Sequence, residues 1–217
     1  MKSVFLIDGF NLYHAITNEF NHGKYKWLNL KELSKQFIEE DEEIKKVLFF
    51  TAYVTWDVGK RERHKNFVTA LSSKGIEIVK GNFKSVEKKF QKNKMSVSES
   101  NLPHEELPEY IKFRTFEEKE TDVNIAVKIL EYASTNEYDK LYIVSGDSDF
   151  IPAIKSAKKH YRKTKFINIL PIGGKGISLG QVCDEQHIMT EEHIKASIME
   201  EEVIIGSVRI KKPESWK

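Results

Sequence analysis

The chain has 217 residues and a formal net charge of +2, from 35 lysine and arginine residues against 33 aspartate and glutamate residues. Hydrophobic residues make up 40% and charged residues 31% of the chain, which excludes an intrinsically disordered protein. The single cysteine, Cys183, excludes an intramolecular disulfide and a zinc site of the Cys-x-x-Cys type, and it suits a reducing compartment.

Nothing in the sequence predicts a membrane segment or a signal peptide. No apolar run approaches the roughly 20 residues of a membrane span. The apolar stretch near the N-terminus ends at Asp8, which is unlike a signal peptide. We therefore expect a soluble cytoplasmic protein.

Short apolar runs alternate with segments of helical periodicity, which predicts an α/β fold with a parallel sheet. The predicted strands are residues 3–7, 47–54, 76–80, 141–145 and 166–170, and the predicted helices are residues 12–20, 30–39, 61–74, 121–134 and 150–159. Residues 91–110 contain three serines and two prolines, which favours a surface insertion. Residues 1–200 then form one domain, and residues 201–217 a C-terminal tail with an added edge strand and a frayed end.

Positive charge is concentrated in two blocks, although the whole chain is almost neutral. The blocks run from Lys80 to Lys94 and from Lys155 to Lys165, and Glu87 is the only acid within them. Such blocks are most often solvated surface, but two together favour a polyanionic partner such as nucleic acid. The glycine-rich loop 173–176 is most simply a connector, with the alternative that it presents a lysine to phosphate. The residues considered as contacts are Lys84, Lys88, Lys155, Lys158, Lys159 and Lys175.

Acidic residues stand where several predicted elements begin or end. Asp8 directly follows the first strand, Asp147 and Asp149 directly follow another strand, and Asp122 stands at the start of a long helix. Ligands of open parallel sheets bind beyond the carboxyl ends of the strands. If the two strands are neighbours, we expect Asp8, Asp147 and Asp149 to meet at one edge of the sheet.

Each of these polar residues also has a purely structural interpretation. Asn11 is as readily an N-cap of the first helix as a functional residue. Asp122 suits a helix N-terminus that is capped by Thr121, and Asp149 is a possible cap for the helix that follows. Gly146 is expected to supply a positive φ. A single cap requires one acid, however, and caps do not explain several acids at one sheet edge.

Clustered carboxylates raise one another's pKa and reduce stability unless a cation neutralises them. Their hard oxygen ligands suit Mg²⁺ or Mn²⁺. Such a centre generates hydroxide from bound water and stabilises charge on a phosphorus atom, which is the chemistry of phosphodiester hydrolysis.

Four segments together resemble the NYN domain family, a branch of the PIN-like ribonucleases. They read IDGFNLY near the N-terminus, then ETDVNIAVKIL, SGDSDFIPAI and finally LGQVCDEQHI, so the resemblance covers roughly residues 1–190. It implies a three-layer α/β/α sandwich with a mainly parallel, Rossmann-like sheet, a divalent metal and endonucleolytic cleavage of RNA. It also implies that Asp8, Asp122, Asp147 and Asp149 bind metal, that Asn11 joins them as a catalytic residue by orienting a ligand or substrate, and that Ser145 holds a metal-bound water or the substrate.

Two departures from the family pattern bear on metal binding. Relatives commonly carry a further aspartate in the middle helix, where this chain has Lys128, and a charged lysine cannot bind Mg²⁺. One or two ions therefore remain open. Many relatives also carry a cysteine-bearing zinc knuckle, whereas residues 82–115 contain no cysteine, so we expect no zinc.

The sequence thus favours a metal-dependent endoribonuclease that acts on single-stranded RNA, with a homodimer left open. One alternative is a catalytically weak RNA-binding protein of the same fold, which Lys128 supports. A second is a nucleotide-sugar transferase, because Asp147-Ser148-Asp149 is also a D-x-D pattern, although that leaves Asp8 and Asp122 unexplained. Trp27, Tyr53 and Trp56 could stack on bases, but packing is the commoner role for each of these side chains.

Overall fold

The computed structural model describes residues 1–20, 23–91 and 110–216. The strands are β1 (Lys2–Asp8), β2 (Glu43–Thr51), β3 (Glu77–Lys80), β4 (Asn82–Gln91), β5 (Tyr110–Lys119), β6 (Lys140–Val144), β7 (Lys165–Leu170), β8 (Glu185–Ile188), β9 (Glu202–Ile205) and β10 (Val208–Lys211). The α-helices are α1 (Gly9–Phe20), α2 (Leu30–Lys35), α3 (Val58–Ser73), α4 (Thr121–Thr135), α5 (Ile151–His160), α6 (Ser178–Val182) and α7 (Glu191–Lys195).

A parallel sheet forms the centre of the molecule. Within the described residues it has six strands in the order β3-β2-β1-β6-β7-β8, and every neighbouring pair is parallel. Both faces of the sheet are covered, so its strands are buried on both sides and appear in the sequence as continuous apolar runs. The chain builds the sheet outward from β1 in two directions. The switch point therefore lies between β1 and β6, where ligands of such sheets bind.

Alternate residues of β1 belong to different hydrophobic cores. Phe5 and Ile7 pack with α1, α2 and α3 on one face, whereas Val4 and Leu6 pack with α4, α5 and α6 on the other. This arrangement is a three-layer α/β/α sandwich, which confirms the fold predicted from the sequence. The predicted helix and strand positions hold with shifted ends, while α6, β8 and α7 were not predicted.

A two-stranded antiparallel ribbon, β4 paired with β5, was also missed by the sequence prediction. Both strands are mostly exposed, so neither shows the apolar alternation of a half-buried strand. The two ends of the ribbon meet at Gly81, where an added Cβ would lie 2.6 Å from the carbonyl oxygen of Lys119. Most of the predicted insertion 91–110 falls on residues 92–109, which lie outside the described part of the chain.

The C-terminal segment forms a hairpin, β9 with β10, and a final 3₁₀ turn. The predicted edge strand of the central sheet is therefore wrong, because these strands pair with each other. Val203 and Ile210 are buried against the core beneath α1–α3, and the ring of Trp216 lies 6.2 Å from that of Trp27. Across the described residues, no helix is long and apolar enough to cross a membrane.

Candidate metal centre

The loop after β6 is tied to the end of β1 by side-chain hydrogen bonds. The Ser145 hydroxyl donates to Oδ2 of Asp8 over 2.9 Å, and the backbone N–H of Asp147 donates to Oγ of Ser145 over 3.1 Å. Asp8 and Ser145 are both buried. The two strands that flank the switch point therefore place Asp8 directly beneath the loop that carries Asp147 and Asp149.

Asn11 fixes the same loop from the helix side. Its Oδ1 accepts a hydrogen bond from the backbone N–H of Gly146 over 2.9 Å, and its own backbone N–H donates to Oδ1 of Asp8 over 3.0 Å. Because α1 begins at Gly9, Asn11 lies inside the first turn and is not the N-cap. The predicted positive φ at Gly146 is wrong. Space restricts that position instead, since an added Cβ would lie 3.2 Å from the side chain of Leu170.

Three aspartates converge above this layer. Asp122, Asp147 and Asp149 each offer a carboxylate oxygen, and these oxygens all lie within 4.8 Å of one another. Asp147 caps the 3₁₀ turn Ser148–Phe150 by accepting a hydrogen bond from the backbone N–H of Asp149. The N-cap of α5 is Phe150, so Asp149 does not cap that helix.

The start of α4 also differs from the capping interpretation. Glu120 occupies the N-cap position with a φ of 80°, and the hydroxyl of Thr121 donates to the carboxylate of Glu118. Asp122 is exposed in the first turn, where a helix N-terminus favours negative charge. Its position is therefore compatible with both a ligand and a favourable helix charge.

Negative charge is concentrated at this site. Burial, together with the nearby charges of Asp122 and Asp147, raises the pKa of Asp8 to about 6 against the opposing hydrogen bonds from Asn11 and Ser145. Partial burial raises the pKa of Asp122, with further contributions from Glu118, Asp147 and Asp149. Each of these shifts records a carboxylate that is costly to ionise without a compensating cation.

The donor set fits a hard divalent ion. Three carboxylates with exposed or half-exposed oxygens match the oxygen ligands that Mg²⁺ and Mn²⁺ take in proteins, with room for water at further positions. Lys128 does not compete for these acids, since it is paired with Glu131 at 2.8 Å. Six residues along α4 also place the Lys128 side chain about 120° around the helix from that of Asp122.

An open groove of about 1140 Å³ begins at the acids and is lined by Asp8, Asn11, Asp122 and Asp147. Residues that the sequence prediction missed complete its walls: Phe10, Phe83, Phe116 and Glu118, with Lys60 and Arg63 from α3. Trp56 lines the groove as well. The walls at this end are aromatic and basic, whereas the floor is acidic. No local sequence signal joins Phe83 to Phe116, because they meet only through the pairing of β4 with β5.

The predicted substrate-binding lysines are dispersed. Lys158 donates to the carboxylate of Asp184 over 2.6 Å and to the carbonyl oxygen of Val182, which ties α5 to the chain after α6. Lys88 is paired with Glu117. The other four are exposed, with Lys84 on β4, Lys155 and Lys159 on α5, and Lys175 in the loop after β7 that also contributes glycines to the groove.

A parallel α/β/α sandwich with acids at its switch point defines the PIN-like class of fold. The chain belongs to the NYN domain family, which residues 2–190 match. A curated relative, 6-hydroxy-3-succinoylpyridine 3-monooxygenase HspA of Pseudomonas putida, is 23% identical over 244 residues, spanning 100% of this chain and 75% of the relative.

A crystal structure of a protein of unknown function from Vibrio parahaemolyticus is similar in fold. It superposes with a TM-score of 0.55 and 18% identity, over 88% of this chain and 94% of that one. At this identity the likeness bears on the fold alone.

Proposed function

We propose that this protein is an endoribonuclease that requires Mg²⁺ or Mn²⁺. The observation that carries the proposal is the convergence of Asp122, Asp147 and Asp149 within 4.8 Å at the switch point of an NYN domain. Asp147 caps a 3₁₀ turn and Asp122 lies in a first helical turn, but neither role requires three carboxylates to converge, whereas a hydrolytic metal centre does.

Asp122, Asp147 and Asp149 would hold the ion, with Asp8 as a fourth acid behind them. When bound, the ion supplies an activated water and neutralises charge on the scissile phosphate. Ser145 relays the position of Asp8 to the backbone of Asp147 through its hydroxyl. Asn11 acts as a positioning residue, because its side chain holds the backbone of Gly146 and its backbone N–H donates to the carboxylate of Asp8.

Single-stranded RNA is the substrate that the groove suits best. A strand without a complementary partner can enter an open groove and expose its bases to aromatic walls. Lys155, Lys159 and Lys175 are exposed on elements that start beside the acids, and we propose that they contact phosphates outside the groove. Lys158 has a structural task in its pair with Asp184 and is less available for this role.

The test is a gel assay of a labelled single-stranded RNA with and without Mn²⁺. Asp147→Asn and Asp149→Asn should each lower cleavage by more than the roughly 10- to 100-fold that loss of an outer partner costs, while RNA binding persists. Asp41→Asn makes the same chemical change at an exposed acid before β2 and serves as the control.

The other outcomes separate the competing functions. RNA binding by the wild type without any metal-dependent product would support an RNA-binding protein of the same fold. A rise in melting temperature with a nucleotide-sugar, and none with RNA, would support a transferase that uses the D-x-D pattern at Asp147-Ser148-Asp149. Both results contradict the nuclease proposal.

A further inference from the structure

The two faces of the β4–β5 ribbon have different compositions. Directly opposite residues of an antiparallel pair lie on the same face, and faces alternate along each strand. The register therefore places Phe83, Phe116, Arg114, Lys89, Lys112 and Tyr110 on one face, together with Ser85, Gln91 and the acids Glu87 and Glu118. We term this the groove face, because Phe83 and Phe116 at its base line the groove that begins at the acids.

An aromatic platform lies at the base of the groove face. The ring of Trp56 stacks on that of Phe116 with centroids 4.0 Å apart and planes 16° apart, and the edge of Phe83 meets Trp56 at 4.9 Å. Trp56 nevertheless remains 44% exposed. A rigid, partly exposed indole within a groove is a surface on which any nucleobase can stack.

Positive charge lies further along the same face. Lys89 is directly opposite Lys112, and both side chains are exposed. Like charges in directly opposite positions destabilise a pair of strands, so this arrangement opposes ribbon formation in the absence of an anion. Glu87, which lies on the same face opposite Arg114, forms an exposed ion pair with Lys112 at 4.0 Å and leaves Lys89 uncompensated by that contact. Tyr110, whose ring is exposed, is the next residue of β5 on the same face after Lys112.

Two of the three lysines on the other face, Lys88 and Lys119, are paired with the acid of that face. Glu117 forms ion pairs with both Lys88 and Lys119, and these two cations hold the pKa of its carboxyl at about 2. Lys84 lies directly opposite Glu117 in the register. Lys88 and Lys119 are therefore satisfied by the ribbon's own acid, whereas Lys89 on the groove face has no ion pair among the described residues.

We propose that the RNA strand runs from the acids along the groove face, with a base stacked on Trp56 and phosphates at Lys89 and Lys112. From Glu118 to Lys112 the ribbon extends about 20 Å, which equals about six nucleotides at a stacked rise of about 3.4 Å. The proposal rests on the proposed function, since this is the strand that the acids would cleave.

The first experiment compares the two faces. Binding of a fluorescein-labelled ten-nucleotide oligouridylate is measured by anisotropy in EDTA, so that no cleavage occurs, over a series of salt concentrations. Lys89→Gln/Lys112→Gln should weaken binding and flatten the slope of log K against log salt by about 1.4, or about 0.7 for each lost contact. Lys84→Gln/Lys88→Gln removes the same charge from the opposite face and should change the slope by much less. Equal effects of the two pairs, or a larger effect of the second, would overturn the proposal.

The second experiment separates base stacking from charge. The wild type should bind the oligouridylate about tenfold more tightly than an abasic oligomer of equal length. Trp56→Ala should lose this preference, while Trp56→Phe retains most of it. Circular dichroism of the Ala variant checks that the ribbon remains folded. A preference that survives in a folded Trp56→Ala protein contradicts the stacking site.

Failure of this inference differs from failure of the proposed function. If the wild type cleaves RNA with Mn²⁺ but the lysine substitutions on the two ribbon faces weaken binding equally, only the proposed ribbon site is contradicted. If RNA binding depends on the lysines of the groove face and on the presence of bases but no cleavage occurs, only the proposed nuclease function is contradicted. A wild type that binds no oligouridylate overturns the ribbon site outright.

Discussion

The side chain of Asn11 holds the backbone of Gly146, 135 residues further along the chain, through one hydrogen bond of 2.9 Å. This bond joins α1 to the loop that carries Asp147 and Asp149, so it sets where two of the three converging carboxylates stand. A residue that looks like a local cap in the sequence is thus a long-range connection in the fold.

Asn11→Ala should cost about 1–2 kcal/mol of stability, because it leaves the half-buried N–H of Gly146 without its acceptor. It should also weaken the stabilisation that Mn²⁺ gives, since the loop is no longer held. Asn11→Asp keeps an acceptor oxygen but adds a negative charge beside Asp8, so it should recover little of the metal-free stability and more of the stability with Mn²⁺ bound. Urea unfolding with and without Mn²⁺ measures both effects. An Ala variant with wild-type Mn²⁺ response would contradict the positioning role.

Asp147→Asn should raise the metal-free stability by about 0.5–2 kcal/mol. It removes one charge from the carboxylate cluster and keeps an oxygen that accepts from the backbone N–H of Asp149. The wild type should gain roughly 2.7 kcal/mol at a Mn²⁺ concentration of 100 times Kd, and the variant much less. Thermal melts of both proteins decide the matter. Destabilisation of the variant, together with a wild type that ignores Mn²⁺, would make the acids structural.

Asp8 should give the metal-free protein a distinctive pH dependence. Because burial raises its pKa to about 6 in the fold, against 3.8 as the reference, the protonated form is favoured by folding. The resulting stabilisation is fully present below pH 3.8 and is lost as the pH rises through 6. Between pH 4 and pH 7 the loss amounts to about 2 kcal/mol.

Asp8→Asn removes this titration, so the difference in unfolding free energy between wild type and variant should change over that pH interval. Urea unfolding in EDTA at several pH values measures it. A difference that stays constant from pH 4 to pH 7 would show that Asp8 titrates as an ordinary exposed acid.

A buried ion pair at the opposite end of β6 should matter for stability alone. Lys140 lies 2.9 Å from Glu42, with both side chains almost inaccessible, and the hydroxyl of Tyr142 donates to the same carboxylate oxygen. Lys140→Met leaves the buried carboxylate of Glu42 without its cation and should lower the free energy of unfolding by about 3–5 kcal/mol. Adding Glu42→Gln should restore part of this loss.

Neither change at the Lys140 pair should alter the shift in melting temperature that Mn²⁺ causes. The five residues of β6 separate the pair from the acids by about 16 Å. A large change in the Mn²⁺ response would indicate that the two ends of the strand are coupled. Melts of the single and double variants with and without Mn²⁺ provide the comparison.

The sheet and the approach of the acids were predictable for a common physical reason. Strands buried on both faces appear as apolar runs, and residues that follow parallel strands meet at one edge. Leu141 to Val144, followed by Asp147, shows both signals within a few residues. The sequence could not predict that Asp122 lies closer to Asp147 and Asp149 than Asp8 does. These distances depend on how deeply each side chain is buried, and burial depends on how the helices pack on the sheet.

The ribbon and the fate of its lysines were not predictable from local pattern. Exposed strands show no apolar alternation, and Lys84 and Lys89 stand in the same basic block although they lie on opposite faces. The partner of Lys88 is Glu117, which is distant in sequence and becomes visible only through the register of β4 with β5. Charge composition identifies the block, whereas strand pairing decides which of its cations are satisfied.

The close approach at Gly81 means that the chain leaves and re-enters the fold at practically the same point. The N–H of Gly81 is bonded to the carbonyl oxygen of Thr51 in β2, and an added Cβ would collide with Thr121 at the start of α4. The described residues of the ribbon, 82–91 and 110–119, are therefore joined to the rest of the fold near Gly81, with further contacts from Glu118 to Thr121 and from Phe83 and Phe116 to Trp56. Substitutions on the ribbon beyond Phe83 and Phe116 should therefore leave β3 and Asp122 in place, so the outer part of the ribbon is separable from the part of the chain that holds the acids.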